Sequence, residues 1–283
     1  MELLWLKYFC DAAENENFSE TARRFFVPPS NISQTIKKLE GELGTRLFDR
    51  TKNKLKLSHA GKIYYEGVKK ALLELEGAKK ALSDLSDGIS GEICLKVSTN
   101  RRIVTDAIEK FSELYDSVSF KIRHGDGNDS DFDIIITDEE LDEKKFQKKT
   151  LIKEKLCLAV SEKNPLAKKE KINISELSSE HFITMQEGSS IHRLVCEICK
   201  NAGFEPNISI CTDDPFYIRK YVEMGLGIAI FPLFSWKGQF SEEVALIPLD
   251  DYTRTTHLYR PLGKYATRAS ILFEEILFEK VDT

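Results

Sequence analysis

The 283-residue chain has no apolar run long enough to cross a bilayer. Its opening stretch, Met1-Glu2-Leu3-Leu4-Trp5-Leu6-Lys7, carries charges among the apolar residues and has no small-residue cleavage site, so no secretory signal is expected. The six cysteines, at 10, 94, 157, 196, 199 and 211, are scattered and do not make a disulfide framework. These absences point to a reducing, cytoplasmic compartment with no membrane partner. Enzyme signatures are missing as well. There is no Gly-x-Ser-x-Gly, no Walker lysine and no His-Glu-x-x-His, so serine-hydrolase, P-loop and zinc-protease chemistry are not expected, and neither is a cofactor. With 41% hydrophobic and 31% charged residues, the composition also excludes disordered and fibrous classes.

What is present is a charge asymmetry. The whole chain carries −5, yet from Arg23 to Lys56 nine Lys/Arg face three acids, a local charge of +6. A basic stripe on an acidic protein points to a polyanion partner for that stripe alone. The same stretch reads as helix, helix, helix, hairpin. Leu3, Leu6, Phe9, Cys10 and Ala13 recur at helical spacing, and Asn15 and Asn17 end that helix. Ser19 is the expected N-cap of a short second helix through Phe26. Val27-Pro28 makes a turn, and Pro29 suits the first position of a third helix, where its missing N–H costs nothing. Ile32, Ile36, Leu39 and Leu43 form that helix's apolar stripe, and Gly44 ends it. Two short strands, Leu47-Phe48 and Lys54-Leu55-Lys56-Leu57, flank a Thr51-Lys52-Asn53 turn.

A helix-turn-helix places the N-terminal end of its second helix in the major groove. Here the third predicted helix takes that part. Its outer face offers Ser30, Asn31, Ser33 and Gln34, whose short polar groups can hydrogen-bond base edges, with Lys37 and Lys38 suited to phosphate or guanine. Arg50, Lys52 and Lys54 on the hairpin would track the neighbouring backbone. One polar helix face alone is more often merely solvated. A capped short helix, a tight turn, an amphipathic helix and a basic hairpin in succession form a more specific signal for double-stranded DNA.

Ser58 then caps a helix to about Leu85. Tyr64, Val68, Ala71, Leu75, Ala78, Leu82 and Leu85 repeat at alternating spacings of four and three, an a/d seam that needs a second helix to cover it. Packing on the chain's own C-terminal half is one reading. The strict 3.5-residue period favours self-association into a homodimer or homotetramer. Ser86 to Gly91 is hinge-like. Beyond it, strands and helices alternate, as in an α/β domain with a largely parallel sheet. Strands are expected at Ile93–Ser98, Ser119–Arg123, Phe132–Thr137, Leu156–Ser161, Phe182–Thr184, Ile208–Cys211 and Ile228–Phe231, and helices at Ile103–Tyr115, Ser190–Ala202 and Pro215–Met224.

The run from Ser33-Gln34-Thr35-Ile36-Lys37-Lys38-Leu39-Glu40 through Gly44-Thr45-Arg46-Leu47-Phe48-Asp49-Arg50, followed by Leu57-Ser58-His59-Ala60-Gly61, resembles the LysR-type transcriptional regulators. Glu154 to Val160 with Asn164-Pro165-Leu166-Ala167, and Gly225-Leu226-Gly227-Ile228-Ala229-Ile230-Phe231-Pro232, are similar to that family's sensor domain. The resemblance implies a winged helix-turn-helix, a linker helix pairing with another subunit's, and a two-lobed α/β sensor of periplasmic-binding-protein type with a small-molecule effector in its cleft. The expected divisions are 1–58 for DNA binding, 59–90 for the linker helix and hinge, and 91–283 for the sensor, with lobe I at about 91–160 plus 263–283 and lobe II at about 161–262.

Two departures stand out. Pro28-Pro29-Ser30 replaces the family's usual Ser-Gln-Pro, which points to an unusual operator. Only His124 to Asp131 separates two strands where the family inserts a helix, so the first lobe looks trimmed. The trimming motivates an alternative in which the C-terminal half is a structural oligomerisation domain without an effector.

In such folds ligands sit beyond the carboxyl ends of strands. Ser98, Thr99 and Asn100 close one strand and open a helix, Ser189 and Ser190 open another, and Thr137 ends the strand expected to cross between lobes. Two helix N-termini with short hydroxyls suit a small, anionic metabolite. Each could equally be only a cap. His192, Cys196 and Cys199 share one face of a predicted helix, but small core cysteines explain that spacing better than a metal. Asp126 to Asp131 lacks the glycine and glutamate of a calcium loop, so no metal is expected.

Overall fold

The structure is a computed structural model describing residues 2–51, 54–85, 88–125, 128–236, 238 and 240–281, with backbone only at 50, 51 and 54. The chain divides into two units, Met1–Asp87 with Gly263–Thr267, and Gly88–Leu262 with Arg268–Thr283.

The first unit contains α1 (Leu3–Asn15), α2 (Phe18–Arg24), α3 (Pro29–Leu43), β1 (Phe48–Thr51), β2 (Lys54–Leu57) and α4 (His59–Ser83). Asn17, not Ser19, caps α2, accepting from the backbone N–H groups of Ser19 and Glu20. A side-chain amide two or three residues upstream reaches the free N–H groups that a residue inside the first turn cannot. The helix ends two residues early because Phe26 is left-handed, with φ 54°. Its N–H donates to the Arg23 carbonyl and that of Val27 to the Ala22 carbonyl, a Schellman closure. Pro29 opens α3, and Gly44, with φ 65°, closes it. Ile32, Ile36 and Leu39 are fully buried, each worth about 1.5–3 kcal/mol. They meet Phe9 of α1, itself edge-on to Phe48.

The second unit is a two-lobed α/β structure. Its strands are β3 (Gly91–Val97), β4 (Val118–Arg123), β5 (Ile134–Thr137), β6 (Phe146–Ser161), β7 (His181–Met185), β8 (Asn207–Thr212), β9 (Ala229–Pro232) and β10 (Val244–Pro261). Its helices are α5 (Arg101–Leu114), α6 (Ser190–Asn201), α7 (Pro215–Glu223) and α8 (Arg268–Glu279). One sheet has the order β4-β3-β5-β10-β6-β9, and β7 pairs with β8 in another. The first three strands are parallel, but β10 runs antiparallel to both β5 and β6, and β9 antiparallel to β6. The sheet is therefore mixed rather than largely parallel.

The long strands β6 and β10 thread both lobes. Leu151 and Ile152 belong to the first core, with Ile93, Phe111 and Phe273, whereas Leu156 and Leu158 belong to the second, with Phe182 and Cys199. On β10, Leu249 sits in the second core and Leu258 in the first, with a register shift between Leu249 and Thr253. The chain thus returns to the first lobe before residue 258, earlier than the expected boundary at 262. The expected strand at Leu156–Ser161 is the second half of β6. Between β4 and β5 the described residues hold only a short 3-10 turn, Asp129–Asp131, in place of the family's helix.

Candidate functional site

The first candidate surface is the outer face of α3. Ser30, Asn31, Gln34, Lys37 and Lys38 are exposed and Ser33 is half-buried, so the expected base-reading residues share one solvent face opposite Ile32, Ile36 and Leu39. Lys38 lies 5.8 Å over the Trp5 ring, which holds its stem toward α1. Arg50 and Lys54 lie on the β-hairpin, in register as Arg50 opposite Leu55 and Lys54 opposite Thr51. Lys52 lies outside the described residues.

Two glutamates hold the hairpin in place. Glu40 of α3 accepts from the N–H groups of Leu47 (2.8 Å) and Phe48 (3.2 Å). Glu16, at the end of α1, accepts from Leu57 N–H (2.9 Å). Each carboxylate bonds to backbone donors of a strand, which fixes the wing relative to the helix that precedes it. In the sequence Glu40 stands as an acid within a basic stretch and as a member of the family motif, with no role of its own. Its place in the Leu39-Glu40 pair of the motif was the available signal.

The linker seam is divided between two fates. Val68 is 6% exposed and belongs to the first unit's own core, and Tyr64 packs against Phe9 at 5.2 Å. Tyr65 Oη donates to Glu14 at 2.5 Å, on the same side. The start of the seam is therefore used within one chain, which corrects its assignment to a partner. Ala71, Leu75, Ala78, Leu82 and Leu85 are exposed, with Leu82 at 69% and Leu85 at 81%. Beside them an apolar cavity of about 490 Å³ is lined by Leu6, Leu43, Ile63, Gly67 and Ala71 among others.

The second candidate site is a cavity of about 530 Å³ in the two-lobed unit. Ser98, Thr99 and Asn100 line it from one side and Ser189 and Ser190 from the other. Thr137 does not line it. It is 3% exposed, and its Oγ1 accepts from Glu139 N–H, so its hydroxyl closes a turn while the following residues, Asp138 and Glu139, reach the cavity. Ser189 caps α6 by accepting from His192 N–H at 3.2 Å. The N-terminus of α5 is different. Asn100 is left-handed, with φ 54°, and its side chain turns away from the helix. It donates to Thr256 Oγ1 (2.7 Å) and accepts from Arg254 (3.1 Å) and from Ser235 Oγ. No side chain among the described residues caps α5, so its first-turn N–H groups keep their capacity for an acceptor.

Behind Asn100 lies a buried charge pair. Arg254 and Glu154 face each other across β10 and β6, and Arg254 Nη2 donates to Glu154 at 2.8 Å. Ser235 contributes its N–H (2.9 Å) to the same carboxylate, and its one hydroxyl proton is shared between Asn100 Oδ1 and Glu154 (2.6 Å). Of these three the sequence singles out only Glu154, as part of the sensor-domain motif; Arg254 is a charged residue inside β10, which breaks the apolar pattern that marks a strand, and Ser235 lies between strands.

His192 Nδ1 and Cys196 Sγ are 3.8 Å apart, but Cys199 is fully buried in the second core. Burial pushes the Cys199 thiol up to about 12, which disfavours the thiolate a metal or redox reaction requires. Gly225 and Gly227 form a packing turn: a Cβ on Gly227 would lie 2.5 Å from the His181 carbonyl oxygen.

A winged helix-turn-helix with a polar, basic recognition face, followed in the same chain by a two-lobed α/β unit with an open cleft, defines a DNA-binding regulator with a ligand-binding-type domain. Two family models match the chain: the bacterial regulatory helix-turn-helix protein of the LysR family over residues 3–62, and the LysR substrate binding domain over residues 86–282. The chain belongs to the LysR family of transcriptional regulators. It is 27% identical over 291 residues to the transcriptional dual regulator GltC of Bacillus subtilis, covering 99% of this chain and 97% of GltC. Its fold is similar to that of a full-length OxyR variant from Pseudomonas aeruginosa, with TM-score 0.72, 20% identity and coverage of 99% of this chain and 94% of that one. The effector binding domain of QuiR in complex with shikimate matches with TM-score 0.58 and 19% identity, covering 69% of this chain and 98% of that one. No helix among the described residues is long and apolar enough to cross a membrane.

Proposed function

We propose that this chain binds specific operator DNA through Ser30, Asn31, Ser33, Gln34 and Lys37, with Lys38 and the hairpin cations Arg50, Lys52 and Lys54 on phosphates, and that a small metabolite bearing an anionic group regulates it. The observation that carries the effector half is the convergence of two helix N-termini on one open cavity. One serine cap falling at a cleft is unremarkable. An uncapped α5 and a serine-capped α6 facing the same 530 Å³ space supply positive helix ends and free N–H donors together. The shikimate held by QuiR is a carboxylate in a domain of this fold. The reading of this half as a purely structural domain requires a cleft filled by side chains, and the cavity is open despite the missing helix after β4. The exposed part of the α4 seam, from Ala71 to Leu85, serves self-association into a homodimer or homotetramer.

Two experiments test this. Footprinting on the region upstream of the chain's own gene, followed by titration of operator variants with Gln34→Ala, reads the DNA half. Loss of a bidentate base contact costs about 1–3 kcal/mol and relaxes preference at one or two positions. An unchanged ranking of variants would move the reading face off Gln34. Thermal unfolding against a metabolite library reads the effector half, because a ligand bound only to the folded state raises the midpoint. A library with no hit would leave the structural reading in its place.

A further inference from the structure

We infer that the cleft ligand carries an ammonium group as well as a carboxylate, and that Asp138 receives the ammonium. The inference rests on the effector reading above and narrows the chemical class of that effector to a zwitterion of amino-acid type.

Charges of both signs surround the cavity. Four cations line it, Lys96, Arg101, Arg102 and Arg254, and so do four acids, Asp138, Glu139, Glu187 and Asp213. Three of those cations are already held by carboxylates outside the lining. Lys96 pairs with Asp129 at 2.7 Å, Arg102 with Asp106 at 3.2 Å and Arg254 with Glu154 at 2.8 Å. Of the acids, only Glu139 has a close outside partner, Arg193 at 2.6 Å. With these partners included, five cations stand against seven carboxylates. A plain polyanion would enter a site that is already negative by two charges, against its own repulsion.

Asp138 is the decisive group. Its side chain is only 9% exposed, yet its nearest cation, Arg254 Nη1, is 3.8 Å away, beyond hydrogen-bond reach. No described residue donates a hydrogen bond to it. A carboxylate with little water contact and no donor from the described residues is poorly compensated, and a ligand donor improves it. An ammonium brings three N–H donors and a compensating charge. Glu187 and Asp213, exposed on the same lining and without ion pairs among the described residues, add to the cation-attracting field.

The carboxylate end has its own acceptor-seeking groups. The uncapped first turn of α5 is one. The other is the Nε–H of Arg254, which is 94% buried as a residue, lines the cavity and has no partner for that nitrogen among the described residues. Asp138 and Arg254 are side by side, so a carboxylate and an ammonium a few bonds apart match the two unsatisfied groups. That spacing belongs to α-amino acids and close relatives.

The test uses the full-length chain and matched pairs: each of the twenty common L-amino acids against the 2-oxo acid that has lost only its amino group. Thermal unfolding screens the set, and calorimetric titration measures the best pair. At least one amino acid is expected to bind ten times more tightly than its 2-oxo partner. Asp138→Asn, which keeps the shape and removes the charge, is expected to weaken that amino acid at least tenfold and to narrow its advantage over the oxo acid. The wild-type ranking decides the matter even where the variant folds poorly. Equal or tighter binding of oxo acids, or an Asp138→Asn protein that retains full amino-acid affinity, overturns the ammonium assignment while the effector reading stands. Silence of both sets also overturns it, and the wider metabolite library then judges the effector reading separately.

Discussion

Replacing Gly61 with alanine should unfold the DNA-binding unit at a much lower temperature, although Gly61 is not one of the expected base-reading residues and sits in a helix, where alanine is ordinarily the better residue. Gly61 lies in the first turn of α4, buried against the entry to the wing. A Cβ there would stand 2.1 Å from the Leu47 carbonyl oxygen and 2.8 Å from Leu57 Cδ1. An unstrained carbon–oxygen contact is about 3.3 Å or more, so the two backbones must separate by roughly 1 Å. The Leu47 oxygen accepts the Ser58 N–H at 2.9 Å, and the Ser58 hydroxyl donates to the Arg46 carbonyl at 2.8 Å while accepting from Gly61 N–H. Separation therefore strains this knot of hydrogen bonds. Overpacking costs roughly 3 kcal/mol at the upper end, and a lost hydrogen bond about 1. The helix propensity of alanine returns about 1. The net loss of about 3 kcal/mol lowers the midpoint of a unit this size by about 12–24 °C. Gly41→Ala is the control, since nothing lies within 4 Å of a Cβ there and the substitution should stabilise by about 1 kcal/mol. Thermal unfolding, with amide exchange at Ile36 and Val68 to isolate this unit, measures both. A Gly61→Ala protein melting within a few degrees of the parent would refute the steric argument.

Apart from α8 (Arg268–Glu279), which no expectation covered, the helices were legible because they carry their own signals: Pro29 and Gly44 bracket α3, and Ser58 caps α4. Strand β10 was not, because Asp250, Asp251 and Arg254 interrupt its apolar residues and it reads as surface loop. Its pairing with β6 is long-range, and the Arg254–Glu154 pair becomes sensible only when both strands are in place. Of the six residues expected at the cleft, Ser98, Thr99, Asn100, Ser189 and Ser190 line the cavity and Thr137 does not. Thr137 was chosen for a hydroxyl at a strand end, but pleat and turn bury it and deliver Asp138 instead. Asn100 was chosen as a ligand group, but its left-handed backbone commits its amide to Thr256 and Arg254. Local sequence specifies where a helix end falls. It does not specify which neighbouring side chain a distant strand will claim.

Leu75→Asp, placing a carboxylate in the exposed seam of α4, should lower the oligomeric state in sedimentation and weaken operator binding at least tenfold, since both half-sites then bind independently. An unchanged assembly would remove the seam from the subunit interface. Thr99→Val should keep the fold, because the residue is 6% exposed and the volume is conserved, and should weaken the effector response while leaving effector-free DNA binding intact. A full response in a reporter assay would take Thr99 out of the cleft chemistry. Burial alone would raise the Glu274 pKa, but Lys149 at 2.6 Å and the Arg260 guanidinium hold it below the usual carboxylate range. A depressed folded-state pKa means that the stabilisation is complete above the unfolded value of about 4.3 and fades as pH falls through the folded one. Glu274→Gln should therefore be less stable than the parent in urea at pH 7, and the gap should close progressively below about pH 4. A gap of equal size at pH 7 and pH 3 would show that the carboxylate's charge is not what holds α8 to β6 and β10.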